Sequence, residues 1–187
     1  LHVLPPPAIP TLLEKHLGQL RSFYQVAPTA PTKGGCFYRK LLAEYYRDLI
    51  PATASVLEIG CGGGHLLKLL PNRDVVGVDI AEKQIVAAQA LVPKGKFHVM
   101  AGEDLELNRV FDVVVLSETV NFAADVQRIL EKLHAVSHSG TRLVLNFHSG
   151  LWRPFLSLAT ALGIRAKHPP CNWLSSTDMR NMLGLAG

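Results

Sequence analysis

With 187 residues, 48% of them hydrophobic, the chain is long and apolar enough for one domain with a sizeable core, and this excludes a disordered segment. No apolar stretch is long enough to span a membrane, and no secretory signal pattern is read. The net charge of +4 comes from scattered lysines and arginines, a solvated surface rather than a nucleic-acid footprint, while Cys36, Cys61 and Cys171 match no zinc or disulfide framework and place the chain in a reducing, cytoplasmic compartment.

Leu1 to Pro10 is proline-rich and reads as extended. Thr11 to Tyr24 has apolar residues at helical spacing, with Thr11 as N-cap. Ala27 to Gly35 holds two prolines and two glycines and reads as a mobile linker. Residues 1–35 are therefore expected to form an N-terminal helix and linker ahead of a domain over 36–187. Phe37 to Ile50 reads as a second amphipathic helix.

The next segment carries the chemistry. Val56-Leu57-Glu58-Ile59-Gly60-Cys61-Gly62-Gly63-Gly64-His65 is an apolar run ending in a glycine cluster, then a helical pattern to Leu70. Short apolar runs bounded by glycine read as buried parallel strands, here Ser55–Ile59. The glycines let backbone approach a ligand, and the helix from His65 to Leu70 points its free N–H groups back at it. A dinucleotide fingerprint needs glycine or alanine where His65 stands, and the phosphate-binding loop ending Gly-Lys-Ser/Thr is absent. Glu58, Gly60, Gly62 and Gly64 instead spell acid-x-Gly-x-Gly-x-Gly, and at this point the sequence resembles the class I methyltransferases that use S-adenosylmethionine. A generic strand–turn–helix is the alternative. The resemblance implies that the loop from Gly60 through Cys61 to Gly64 faces the methionine end of that cofactor. His65 either lines the pocket or is polar surface.

A strand over Val75–Asp79 ends in Asp79, about twenty residues beyond the loop, where a ribose-binding acid is expected. The alternative for Asp79 is to cap the helix Glu82–Leu91. Ile80 lies against the adenine face or packs ordinarily. After the strand Lys96–Met100 the chain departs from the family pattern. Ala101 stands where an adenine-binding aspartate is common, so the resemblance assigns adenine to the backbone near Gly102 and to Glu103 or Asp104, whose alternative is a solvated loop. After the strand Phe111–Leu116, Ser117 and Glu118 occupy the place where the family's backbone carbonyls meet the methionine ammonium.

A helix over Ala124–Ser137 and a strand over Arg142–Phe147 follow. His134 and His138 are four apart, a spacing that can bind metal, but they fall in the helix's last turn, where cations suit the dipole, and no third ligand is evident; no metal is expected. Strands alternating with helices imply a doubly wound, mostly parallel α/β sheet, Rossmann-like, and the resemblance supplies the order 3-2-1-4-5. Glu118, Asn121 and His148 are candidates for catalysis at the carboxyl ends of the fourth and fifth strands. The imidazole of His148 suits proton removal from a hydroxyl; a surface histidine is the alternative.

Residues from about 149 to 175 read as a lid or substrate segment. Trp152, Phe155 and Trp173 either cap an apolar pocket or pack as core, and Arg153 and Arg165 either hold an anion or are solvated. Ser176 to Leu185 reads as a helix with Ser175 or Ser176 as N-cap. The family's sixth and seventh strands are then missing, so the chain is a fragment or its sheet is truncated. A truncated sheet leaves the fifth strand, Arg142–Phe147, as an exposed edge, expected to self-associate or to be covered by the N-terminal segment.

The Asn/Asp-Pro-Pro-aromatic loop of nucleic-acid amino-methyltransferases is absent, which argues against base methylation. The run Val120 to Arg128, with Gly140 to Val144, resembles bacterial methyltransferase domains found beside glycosyltransferases. This implies a small-molecule, sugar or lipid-linked acceptor, methylated at oxygen. The rival readings are a non-catalytic methyltransferase-like interaction module and a nicotinamide-dependent oxidoreductase, the latter disfavoured by His65.

Overall fold

A computed structural model describes residues 11–31, 33–148, 150–162 and 169–187. In chain order the described elements are α1 (Leu12–Val26), α2 (Lys33–Leu49), β1 (Val56–Ile59), α3 (His65–Leu69), β2 (Val75–Asp79), α4 (Glu82–Leu91), β3 (Lys96–Val99), β4 (Phe111–Ser117), α5 (Thr119–Phe122), α6 (Val126–Lys132), β5 (Ser137–Asn146), α7 (Arg153–Ala161) and α8 (Ser176–Ala186). The strands form one parallel sheet in the order β3-β2-β1-β4-β5. The topological switch lies between β1 and β4, and this positions the site.

The central strands are apolar throughout because helices cover both faces. Alternate side chains go to opposite sides. Leu57, Ile59, Val76, Val78, Val114 and Leu116 pack with α6 and with Met179 of α8. Val56, Val75, Val113 and Val115 pack with Ala43 and Tyr46 of α2, Leu66 and Leu67 of α3 and Ile85 of α4.

Several expected boundaries move. α2 starts at Lys33, taking in Gly34 and Gly35 from the expected linker. Weak helix formers cost least in a first turn, whose N–H groups lack intrahelical partners anyway. α6 is shorter than expected: Asp125 caps it, accepting from the Arg128 N–H at 3.0 Å, and a 3-10 turn over Leu133–Val136 ends it. β5 starts at Ser137, so His138 lies on a strand beside Asp112 rather than on a helix face with His134. The Thr141 hydroxyl donates to the Phe111 carbonyl (2.6 Å) and accepts the His138 N–H (2.8 Å), absorbing the register irregularity opposite Phe111–Val113.

α1 does not stand apart. Leu17 and Leu20 are buried, and the helix packs on α4. Ser175 caps α8 in a reciprocal capping box with Asp178. Among the described residues no strand pairs with the outer edge of β5, no helix is long and apolar enough to cross a membrane, and no cluster of metal-ligating side chains occurs. The expectations for Leu1 to Pro10 and for Arg165, and the parts of the expected lid segment at 149 and 163–168, lie outside the described residues.

Candidate active site

The glycine loop sits at the carboxyl end of β1. The N–H groups of Gly60 and Cys61 both donate to the Val78 carbonyl, at 2.8 and 3.0 Å, which turns the chain sharply out of the sheet. Gly60 has φ +73°, and a Cβ there would fall 2.6 Å from the Thr119 hydroxyl, which itself donates to the Ile59 carbonyl at 2.6 Å. A side chain at Gly60 is therefore excluded by both conformation and space. Gly62, at φ +50°, differs: a Cβ there finds only Gln84 Oε1, at 3.9 Å. It would project into the open space over the loop, the space a ligand would use.

Two buried acids flank this loop. Asp79 accepts the Gly62 N–H on Oδ2 and the Ala81 N–H on Oδ1, both at 2.9 Å. It is not the cap of α4, a place taken by Ala81. It ties the glycine loop to the turn after β2 and keeps a lone pair on each oxygen. Burial raises its pKa, and the two N–H donors oppose that shift. Glu58 is 2% exposed, and its Oε2 has no partner. Burial pushes its carboxyl up to about 8, with the Arg39 guanidinium lowering it and Asp79 raising it. An unpartnered buried carboxyl oxygen is costly unless a donor or cation reaches it.

Above the loop lies a cavity of about 560 Å³, and the N-terminal helices roof it. Leu20 and Tyr24 come from α1; Tyr38 and Arg39 come from α2. Three tethers hold the roof down. His65 Nε2 meets the Thr29 carbonyl at 2.7 Å, Lys83 Nζ donates to the Ala27 carbonyl at 3.1 Å, and Gln84 Nε2 donates to the Tyr24 carbonyl at 3.3 Å. His65 thus both lines the cavity and fastens its lid. The alternation of apolar and polar residues along α2, with Tyr38, Leu42 and Tyr46 four apart, was the signal that this helix faces a site. No local motif marked Arg39.

Ile80, Gly102, Ser117 and Glu118 line the cavity, as do Glu58, Gly60, Cys61, Gly62 and Asp79. Gly64 stands just beyond, packed against Ala88. The Cys61 thiol is pushed up by burial and is an inert packing group. Glu103 also reaches the cavity wall, but its Oε1 accepts the N–H groups of Ala124 (2.7 Å) and Asp125 (3.2 Å), so this oxygen braces the start of α6. Asp104 turns away and pairs with Arg128 at 3.1 Å on the surface, because the 3-10 turn over Gly102–Asp104 sends consecutive side chains in different directions.

At the other end, Glu118 has φ +60°, the one described non-glycine residue in the left-handed region. Its Oε1 stands 3.8 Å from His148 Nε2. His148 lies outside the cavity lining, and its main chain is clasped by fully buried Asn121: Oδ1 accepts the His148 N–H at 2.8 Å, and Nδ2 donates to the His148 carbonyl at 3.2 Å. Asn121 is therefore a scaffold and not a base. Trp152 and Phe155 neither cap the cavity nor join the core; they are 59% and 66% exposed and meet edge-on at the foot of α7. Arg153 is exposed, and Trp173 is half-buried outside the cavity.

Residues 57–145 match the family model described as a methyltransferase domain. The chain belongs to the class I S-adenosylmethionine-dependent methyltransferase family. It is 30% identical over 129 residues to malonyl-[acyl-carrier protein] O-methyltransferase of Bacillus cereus, covering 66% of this chain and 47% of that protein. It is 34% identical over 139 residues to ubiquinone biosynthesis O-methyltransferase of Azorhizobium caulinodans, covering 67% and 53%. The chain thus spans about half the length of the curated relatives it matches. Magnesium protoporphyrin IX methyltransferase of Synechocystis, solved with bound SAH, shares the fold at a TM-score of 0.68 and 17% identity, covering 92% of this chain and 89% of that one. The family's cofactor is S-adenosylmethionine, and the residues of the cleft fit it: an unpartnered buried acid, a neighbouring guanidinium, an open Gly62 and an acid with free lone pairs suit a zwitterion joined to a ribose.

Proposed function

We propose that this methyltransferase moves a methyl group from S-adenosylmethionine to an oxygen of a small or lipid-like acceptor. The observation that carries the reading is Glu58, buried with an unpartnered oxygen beside Arg39 at the foot of a roofed cavity. Glu58 would receive the ammonium, Arg39 the carboxylate, and Asp79 the ribose hydroxyls; Ile80 and the Gly102 backbone would bound the adenine. When bound, the cofactor supplies a methyl already activated by sulfonium charge. The chain's own work is to orient the acceptor, to exclude water beneath α1 and α2, and to take up the proton an acceptor hydroxyl loses. His148 is the group proposed to take that proton, with Glu118 beside it. The two O-methyltransferase relatives support oxygen as the methylated atom.

Because His148 lies outside the cavity lining, a non-catalytic cofactor-binding module is the second reading. Calorimetry with S-adenosylmethionine, S-adenosylhomocysteine and NAD, followed by turnover on a panel holding malonyl thioesters and quinone precursors, separates the readings. Binding of the first two, not of NAD, with turnover supports the proposal; cofactor binding without turnover on any acceptor supports the module. His148→Ala is expected to lower the transfer rate by roughly 10²–10⁴ with cofactor affinity unchanged. A normal rate across the pH range would remove His148 from catalysis. We also infer self-association through the outer edge of β5.

A further inference from the structure

Past β5 the chain leaves the sheet, carries α7 and returns at Asn172. Fully buried Asn121 holds both ends of this excursion. Besides its two bonds to the His148 main chain, its Nδ2 donates to the Asn172 carbonyl at 2.9 Å, and its own carbonyl accepts the Asn172 N–H at 2.7 Å. Asn172 Nδ2 donates in turn to the Val120 and Ala123 carbonyls, at 3.0 and 2.8 Å. These bonds fix the excursion at the carboxyl end of the sheet, where Ser117 and Glu118 line the cavity. Beyond that neck, α7 turns its apolar side chains away from the protein. Phe155, Leu158 and Leu162 stand three and then four residues apart, on one helix face, and Trp152 stands one turn ahead of Phe155. All four are more than half exposed. On the other side Leu156 and Thr160 are half-buried, and no described residue of α7 is buried.

We propose that α7 is an interfacial helix that lays Trp152, Phe155, Leu158 and Leu162 into the surface of a bilayer with anionic headgroups. Charge, side-chain type and size choose this occupant. From Lys132 to Thr177 the sequence holds no aspartate or glutamate, so nothing acidic in that stretch offsets Arg153, which is exposed in the first turn of α7; an anionic surface is its complement. In-plane insertion suits the side chains. An aromatic pair at the helix start fits the headgroup boundary, leucines along the same face fit the acyl chains, and an arginine can reach back to phosphate. A stable protein interface takes roughly 20–30 residues a side, far more than this stripe offers, whereas a bilayer takes up an apolar stripe without shape complementarity. No described helix is long and apolar enough to cross a membrane, so α7 lies on the surface rather than through it. The inference goes beyond the reading of the reaction and does not rest on it, because surface binding needs neither cofactor nor acceptor. It turns the carboxyl end of the sheet, and with it the cavity, toward the bilayer.

The test is flotation of the full chain with vesicles of phosphatidylcholine containing phosphatidylglycerol, and with vesicles of phosphatidylcholine alone, at low and high salt. The wild type is expected to float with the anionic vesicles and to lose that binding as salt rises. The sequence has two tryptophans, Trp152 and Trp173, so a blue shift of emission on binding should survive in Trp173→Phe and vanish in Trp152→Phe. Phe155→Ser combined with Leu158→Ser should weaken vesicle binding by about tenfold or more, and Arg153→Glu should weaken it too. These side chains are exposed, so the circular dichroism of the variants should match that of the wild type. Val86→Ser removes a similarly exposed apolar side chain from α4 and should bind as the wild type does. Failure of the wild type to bind anionic vesicles, or unchanged binding in the Phe155→Ser, Leu158→Ser variant, overturns the proposal. Oligomers in sedimentation velocity that come apart in that variant, with no vesicle binding by the wild type, would assign the face to a second copy instead.

Discussion

A carboxyl buried without a partner, as Glu58 is, changes its stability contribution with pH. Its pKa is about 8 in the folded chain against an ordinary 4.5. Between those values the folded state binds the proton more tightly than the unfolded one, so ligand-free stability falls as pH rises through the window. The Tm of the ligand-free protein is expected to drop between about pH 5 and pH 8, and Glu58→Gln should flatten that drop. A cationic ligand group should reverse the shift and release a proton on binding near pH 7, seen as a binding enthalpy that depends on the buffer's ionisation heat. Buffer-independent enthalpy would place the cation elsewhere. For Asp79, both oxygens brace backbone N–H groups and face the cavity. Asp79→Ala is expected to weaken S-adenosylmethionine binding by about 1.5–3 kcal/mol. Asp79→Asn, which retains one acceptor oxygen, should lose less, and calorimetry on variants of intact circular dichroism measures both.

At the scale of elements, the roof is the part whose stability is local. α1 begins with a capping box: Thr11 accepts the Glu14 N–H at 3.2 Å, and Glu14 accepts the Thr11 N–H at 2.6 Å. Removing such a cap costs about 0.5–2 kcal/mol. Thr11→Ala is expected to fray α1 and to speed release of S-adenosylmethionine, while the unfolding of the sheet core hardly moves. Stopped-flow release and calorimetric melting read these separately; an unchanged release rate would mean that the roof is held by its tethers alone. β2 and α4 match the sequence reading residue for residue. α6 and β5 miss because a cap at Asp125 and the Thr141 bridge to Phe111 decide their ends, and the bridge partner lies on another strand.

At the scale of the molecule, two apolar clusters sandwich one sheet, and β5 ends it with no described partner on its outer side. Unpaired N–H and C=O groups along a strand are a template for another chain. Association is therefore expected to grow with protein concentration in sedimentation velocity. A monomer at every concentration would overturn association through this edge. The N-terminal helices do not serve as the cover: α1 lies on α4, and α2 lies on the sheet face.

The residues alone determined the strand–glycine–helix at Glu58 to His65, the acid at Asp79 and the alternation that makes a parallel sheet, since each depends on period and turn chemistry within a few neighbours. They did not show that Glu103 braces α6, that Asp104 faces solvent, or that Asn121 is a buried clasp, since each depends on which backbone groups folding leaves without partners. That Tyr38 and Arg39 line the same cavity as Glu58 and Glu118 was decided only when α2 packed across the mouth of the sheet. Such placements follow from which apolar faces bury against each other, and a polar residue carried along on such a face leaves no local sign of the partner it will find.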